Sequence, residues 1–309
     1  MYYVGIDVGG MSIKGGIVNS SGEIIFKSVC KIKDKQAMPA LDFVMEEVVN
    51  FAKSNGVALE GAGIGVPCIF DKKTGVVSYG NNLDFKGINL KERFLNKYGL
   101  RLEIANDAAA AALGELKFGG AKGYQNAVLI TIGTGVGCGI ILGGKIISTN
   151  SSAVGELSHT ILQVGGRKCA CGKKGCVEAY CSMTALYKDV KREMLKNKNS
   201  LLWQTVKPNA IDGKAFFEWV GKDQTADRVF NRFIKYLGVT VVNVANLLRP
   251  DIILIGGGVS AQGEKIIKPL EEYLNQNVFA PEYTAKIPVR SALNGNDAGI
   301  LGSASLAID

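Results

Sequence analysis

The sequence predicts a mixed α/β protein in two lobes, and three observations predict it. Apolar, strand-like runs alternate with segments of helical period over most of the chain. Two segments share one plan of apolar run, glycine turn and second apolar run: "YYVGIDVGGMSIKGGIV" at 2–18 and "NAVLITIGTGVGCGIIL" at 126–142. The length of 309 residues, 47% of them hydrophobic, suffices for one large or two medium cores. Laid over each other at an offset of 124, the two glycine segments bring Gly9 onto Gly133, Gly15 onto Gly139 and Ile17 onto Ile141, which reads as an internal duplication.

Taken in order, "LDFVMEEVVNFAKS" (41–54) repeats apolar residues at three and four positions and predicts a helix, while "GAGIGVPCIF" (61–70) predicts a buried strand running into a turn. "LEIANDAAAAALGELKFG" (102–119) reads as a strand, a short polar turn and an alanine-rich helix, alanine being the best helix former. "ADRVFNRFIKYLGVTVVNVANLLRP" (226–250) is a long helix ended before Pro250. "DIILIGGGVS" (251–260) is a strand opening into a triple-glycine turn, and "NDAGILGSASLAI" (296–308) a helix of small residues suited to close packing. The expected lobes are residues 1–110, joined by the C-terminal helix 296–309, and residues 111–295, which carry a cysteine-rich loop.

Bulk properties exclude several classes. No run of eighteen apolar residues occurs, and the first residues lack the basic, apolar and cleavage regions of a secretory signal. The seven cysteines, at 30, 68, 138, 169, 171, 176 and 181, are odd in number, so metal binding or buried thiols fit better than a disulfide framework, and a cytoplasmic location is expected. The net charge of +8 is spread along the chain. Its densest basic run, "KDVKREMLKNK" from Lys188, mixes signs at helical spacing and reads as a solvated helix face, not a nucleic-acid patch. A mild basic excess suits an anionic substrate.

"GTGVGCG" is not a dinucleotide fingerprint, because that motif needs a helix after its glycines and here the strand-like "CGIILGGKII" follows. A glycine hairpin still brings backbone N–H groups close to an anion. Asp7 with Gly9, Gly10 and Lys14 suits a metal-bound triphosphate. Gly133, Thr134, Gly135 and Gly137 suit a grip on it from the second lobe, with Gly256, Gly257 and Gly258 under the adenosine. Any one of these clusters alone reads as an ordinary tight turn. Three in this order point to the nucleotide kinases and ATPases of the actin–hexokinase class.

Asp107 begins the alanine helix and admits two readings. It is a natural N-cap, and it is also a carboxylate of the kind a phosphoryl-transfer enzyme needs to take a proton from a substrate hydroxyl. In "SHTILQVGGRKCACGKKGCVE" (158–178), His159, the only histidine, stands with Cys169, Cys171 and Cys176, the ligand set of a closed structural zinc site. The alternative is buried unpaired thiols. A redox pair more typically has two intervening residues, and Cys169 and Cys171 have one. Zinc here would fix the loop that carries Glu156 and Glu178.

Together these pieces resemble the ROK family (repressors, open reading frames and sugar kinases), and within it the bacterial glucokinases. The resemblance runs from "GIDVGGMSIKGG" to "GNDAGILGSASLA". Its most specific element is "CACGKKGCVEAYCS", which fits C-x-C-G-x-x-G-C-x-E-x-x-x-S at every fixed position; "AVGELSHT" is similar to the family's E-x-G-H segment and "NNLDFKGINL" to its sugar-facing Asn-Leu turn. The resemblance implies an actin-like (ribonuclease H-like) ATPase fold, two α/β lobes with a cleft between them. It also implies ATP with Mg2+ and transfer of the γ-phosphate to a hexose 6-hydroxyl, glucose foremost. Carried over, Asp107 is the base, Asn82, Asn106, Glu156, His159 and Glu178 contact sugar hydroxyls, and Gly65 does so through its backbone. His159 then serves twice, one ring nitrogen on zinc and the other toward the sugar. A homodimer or homotetramer is implied, with sugar and ATP as partners and neither nucleic acid nor membrane.

Two positions depart from the family pattern. Met11 replaces a threonine after the first Gly-Gly, which leaves Ser12 as the hydroxyl available to phosphate, and Ser158 replaces the glycine of E-x-G-H. Alternatives are a kinase for another hexose (N-acetylmannosamine, fructose, allose or a β-glucoside) and a sugar-responsive repressor. The repressor role implies a helix-turn-helix ahead of the phosphate turn, where this chain starts its first strand at Tyr2. A non-catalytic sugar- or metal-binding module would lack the base that Asp107 supplies.

Overall fold

Near-continuous burial, from Tyr3 through Ile6 and again at Val8, makes Tyr2–Val8 (β1) a core strand, and the glycine turn returns it as Ser12–Asn19 (β2), antiparallel with Asp7 opposite Lys14. Ile24–Lys31 (β3) adds a third antiparallel strand, and Ala37–Ser54 (α1) lays Leu41, Val44, Met45 and Val48 on the sheet. Leu59–Val66 (β4) then pairs parallel to β1. Cys68–Phe70 (β5) and Val77–Gly80 (β6) form a small separate hairpin, and Leu90–Tyr98 (α2) leads into Leu102–Asn106 (β7), parallel to β4. The sheet order is β3-β2-β1-β4-β7. The computed structural model describes the chain apart from residues 81, 82, 148, 150, 151, 206, 208–211 and 309, with only the backbone at 214.

Asp107–Phe118 (α3) follows β7 directly, without the expected turn. The second glycine segment is Ala127–Ile132 (β8) and Val136–Leu142 (β9), with Lys145–Ile146 (β10) beside β9. A cysteine hairpin leads to Glu178–Cys181 (α4), Met183–Lys196 (α5), Leu201–Thr205 (α6), Gly213–Trp219 (α7) and the long Gln224–Leu248 (α8). Helix α8 buries Val229, Phe233, Leu237, Val241 and Ala245 at four-residue spacing and ends on Arg249 in the left-handed region, ahead of Pro250. Ile252–Gly256 (β11), Glu264–Asn277 (α9), Val289–Ser291 (β12) and Ala298–Ile308 (α10) complete the chain.

The second sheet runs β10-β9-β8-β11-β12. Each strand takes the place of its counterpart in β3-β2-β1-β4-β7, so the duplication read from two glycine hairpins extends to whole sheets. This repeated five-strand order with its helices is the actin-like, ribonuclease H-like ATPase fold.

Internal packing divides the chain into two units, residues 1–129 with 139–155 and 292–309, and residues 130–138 with 156–291. The expected boundary near residue 110 therefore moves. It would cut α3, whose alanine face packs against α10 within the first unit, so the unit continues to Leu129. The small residues of α10 allow that approach, and Ser303 fastens the helix to β1 by donating its hydroxyl to the Ile6 carbonyl at 2.7 Å.

Fully buried Glu115 on α3 ties the same unit together. Its Oε2 accepts the N–H groups of Gly120 (2.7 Å) and Leu293 (3.0 Å), and Oε1 accepts that of Asn294 (2.8 Å). Removing it orphans three backbone donors. Glu115→Ala is expected to lower stability by about 3 kcal/mol, read from the urea midpoint, with Glu115→Gln less damaging because one acceptor oxygen remains.

Candidate active site

In the first unit, parallel strands bring their C-terminal ends to one edge. Asp7 pairs in register with Gly65, and Val66 with Asn106, so the ends of β1, β4 and β7 present Asp7, Gly65 and the Asn106–Asp107 junction side by side. Ligand sites in open α/β sheets occupy this edge. Gly65 packs against the start of α3: a Cβ there would lie 3.3 Å from the Asp107 Cα.

Asn106 ends the ambiguity over the helix start. It is the N-cap, extended at φ −62° and ψ 145°, and its Oδ1 accepts the N–H groups of Ala108 (3.0 Å) and Ala109 (3.3 Å). Asp107 is the first helical residue, and its Oδ1 accepts the Ala108 N–H at 2.8 Å. The capping role proposed for Asp107 thus belongs to its neighbour, and its carboxylate sits at the positive end of the helix dipole. Its charge reaches Cys68, whose thiol burial and the Asp107 carboxylate together push up to about 12.

Around the first glycine turn, the Gly9 N–H donates to the Ser12 carbonyl at 2.9 Å. Met11 is 80% exposed at its tip, so the missing threonine hydroxyl has been replaced by an apolar side chain facing outward. Lys14 Nζ lies 3.5 Å from Asp7 Oδ2 and 3.5 Å from the Asn296 carbonyl. Burial raises the Asp7 pKa above the usual carboxylate value, against the opposing pull of Lys14.

The second unit gathers the remaining candidates. The β8–β9 turn closes with Gly133 N–H on the Gly135 carbonyl at 3.0 Å. Helix α5, capped by Ser182, holds this turn: Met183 N–H donates to the Gly133 carbonyl (2.9 Å) and Thr184 Oγ1 to the Thr134 carbonyl (2.8 Å). Gly137 lies in β9 itself. Gly256 ends β11 and Gly257, at φ +74°, lies against the end of β8, where a Cβ would stand 2.5 Å from the Ile132 carbonyl oxygen. Gly257 therefore has to be glycine on both counts. Gly258 begins a short 3-10 turn.

The cysteine hairpin is closed by Cys169 N–H on Lys173 O and Gly175 N–H on Arg167 O, both 2.8 Å, with Gly172 and Gly175 each at φ +89°. It brings His159, Cys169, Cys171 and Cys176 together, the four ligand atoms all within 4.8 Å of one another. Cys171 and Cys176 sulfurs are 3.7 Å apart, and His159 Nδ1 is 4.0 Å from Cys169 Sγ. A tetrahedral zinc–thiolate site has an edge of roughly 3.8 Å from its bond lengths, whereas a disulfide needs about 2.05 Å. Burial pushes the Cys176 thiol up to about 12 and also raises Cys169, while backbone donation from Lys173 lowers Cys171. The spacing and the donor set fit zinc, and a divalent cation would offset the cost of holding three thiolates together.

Glu156 precedes the 3-10 turn that carries His159 and lies near Cys138, whose thiol burial and then the Glu156 charge push up to about 12. Ser158, at the departure from E-x-G-H, is buried. Glu178 reaches both the hairpin and the β8–β9 turn. Asn82 lies outside the described residues.

A half-buried clamp was missed by sequence reading. Arg167 donates to Asp189 Oδ2 (2.9 Å) and the Ala179 carbonyl (3.2 Å), stacks 4.5 Å from the Tyr180 ring, and gives its backbone N–H to Tyr180 Oη (2.7 Å). Asp189 lies on the basic helix read as a solvated face. Lys188, Lys191 and Arg192 are exposed as expected, but Asp189 turns inward to Arg167 and Arg192. Among the described residues, no helix is long and apolar enough to cross a membrane.

These two sets of residues, strand-end carboxylates in one unit and glycine turns with a Cys/His hairpin in the other, are matched by a family model, ROK family, over residues 3–309. The chain belongs to the ROK family. Within that family it is similar to a glucokinase of Halalkalibacterium halodurans, 34% identical over 97% of this chain and 93% of the relative. It is also similar to a glucokinase of Thermotoga maritima, 29% identical over 98% of this chain and 96% of the relative. Among solved structures, a ROK family glucokinase from Streptomyces griseus in complex with glucose and AMPPNP superposes with a TM-score of 0.85 at 30% identity, covering 100% of this chain and 99% of the other.

Proposed function

We propose that this ROK chain is an ATP-dependent hexose kinase that converts glucose to glucose 6-phosphate. The observation that carries the reading is Asp107, a carboxylate relieved of capping by Asn106 and set on the strand edge beside Asp7 and Gly65. The similar glucokinases, one of them bound to glucose and AMPPNP, support the choice of sugar and nucleotide.

In this reading, Asp107 accepts the proton of the sugar 6-hydroxyl as its oxygen attacks the γ-phosphorus. The new O–P bond forms as the bond from the γ-phosphorus to the bridging oxygen breaks, and ADP leaves with that electron pair. The hydrogen bond from Ala108 holds one oxygen of Asp107 and orients the other. Asn106 spends its oxygen on the cap, which leaves its amide N–H groups for a sugar hydroxyl. Glu156, His159 and Glu178 take further hydroxyls, as does the Gly65 backbone, and Asn82 belongs to the same set by resemblance.

By the family resemblance, Gly9, Gly10, Ser12 and Lys14 belong to the phosphate-contacting set, as do Gly133, Thr134, Gly135 and Gly137, with Gly256–Gly258 under the adenosine. Asp7 would hold the magnesium of the nucleotide, which would supply charge neutralisation at the phosphoryl oxygens. Zinc on His159 Nδ1, Cys169, Cys171 and Cys176 would cross-link the hairpin, and the Nδ1 orientation leaves Nε2 for the sugar.

The test is ADP release with ATP and Mg2+ over a panel of glucose, N-acetylmannosamine, fructose, allose and a β-glucoside. Glucose is expected to give the highest kcat/KM. A different leading sugar would replace glucose in this assignment, and no ADP release with any of them would end the kinase reading.

A further inference from the structure

Glu178 makes two contacts that a sugar-facing role does not require. Its Oε2 accepts the N–H of Val136, the residue that leaves the β8–β9 turn, at 3.3 Å. The same oxygen fills the space over Gly135, where a Cβ would lie 2.6 Å away. Its Oε1 is 3.8 Å from the Cys169 sulfur. One carboxylate thus spans the Cys/His hairpin on one side and the turn backbone on the other.

The turn is held elsewhere by Met183 N–H and Thr184 Oγ1 from α5. Of these supports, Glu178 alone also belongs to the proposed sugar set. We propose that Glu178 is a positioning residue for the nucleotide turn, so that acceptor binding and nucleotide binding are coupled through its carboxylate. The inference rests on the kinase reading above. A sugar hydroxyl that orders Glu178 also orders the Gly135–Val136 backbone, and linkage requires the effect to run equally in reverse.

The experiment is calorimetric titration of the full chain with Mg2+-AMPPNP in the absence of sugar, and with glucose in the absence of nucleotide. Glu178→Ala is expected to weaken AMPPNP by about tenfold, the scale of one lost hydrogen bond to a charged group. Glu178→Gln keeps an acceptor oxygen for Val136, so its AMPPNP affinity alone is expected to recover to within about threefold of the unmutated chain. Gly135→Ala leaves Glu178 chemically intact but displaces its carboxylate, and is expected to weaken glucose by a similar factor of about ten.

Unchanged AMPPNP affinity in a folded Glu178→Ala chain would overturn the proposal. Should that variant fail to fold, unchanged glucose affinity in Gly135→Ala would overturn it instead. An unmutated chain that binds neither ligand would sink the kinase reading and this coupling together, an outcome distinct from either variant result.

Discussion

Asp107→Asn is expected to cut kcat at least about a hundredfold, the scale of a positioned acid–base group, while glucose and AMPPNP affinities stay within about threefold. Asparagine keeps an oxygen for the Ala108 N–H, and the cap is supplied by Asn106, so α3 starts as before. What the variant loses is the basic carboxylate. Separating turnover from binding is decisive here, because a residue that merely shaped the helix start would move stability and both affinities together. Near-normal turnover in the variant would refute the assignment of Asp107 as base.

Cys176→Ala is expected to strip the chain of zinc, from about one ion per chain to well below it, by elemental analysis. Cys176 is fully buried, and its neighbours Val177 and Glu178 lead directly into α4, so the loss propagates beyond the hairpin. The thermal midpoint is expected to fall by about 10 °C, as a loss of several kcal/mol produces in a unit of this size. The glucose KM is expected to rise, since His159 and Glu178 lose their orientation, whereas Cys30→Ala, far from the hairpin in sequence and on β3, serves as the control. A folded, fully active chain without zinc would contradict the structural role.

Much of this was legible in the residues, because the signals are local. Glycine turns between apolar strands, an alanine helix after a polar junction, and three thiols near one imidazole all lie within short windows. The duplication was visible as two hairpins only. That all five strands of each sheet repeat one order depends on pairings between distant segments such as β1 with β4 and β11 with β12.

Adjacent residues defeated the reading at the start of α3. Asn106 and Asp107 both favour the cap, and the choice falls to Asn106 because β7 stays extended through it. Asp189 was hidden for a different reason. Its helical spacing among lysines matches a solvated face, and the return of Arg167 from the preceding hairpin, with Arg192 on the same helix and Arg232 on α8, supplies the cations that offset its burial.

By itself, the sequence determined the chemical inventory of this protein: a carboxylate beside a helix start, glycine turns that expose backbone, and three cysteines close to the only histidine. Those follow from residue type and short spacing, which elementary chemistry constrains directly. The tertiary structure alone decided which neighbour caps the helix, where the first unit ends, and that Glu178 touches the turn at Val136. The cap follows from the pairing of β7 with β4, which keeps Asn106 extended, and the other two turn on contacts between residues far apart in the chain, so no local pattern records the choice.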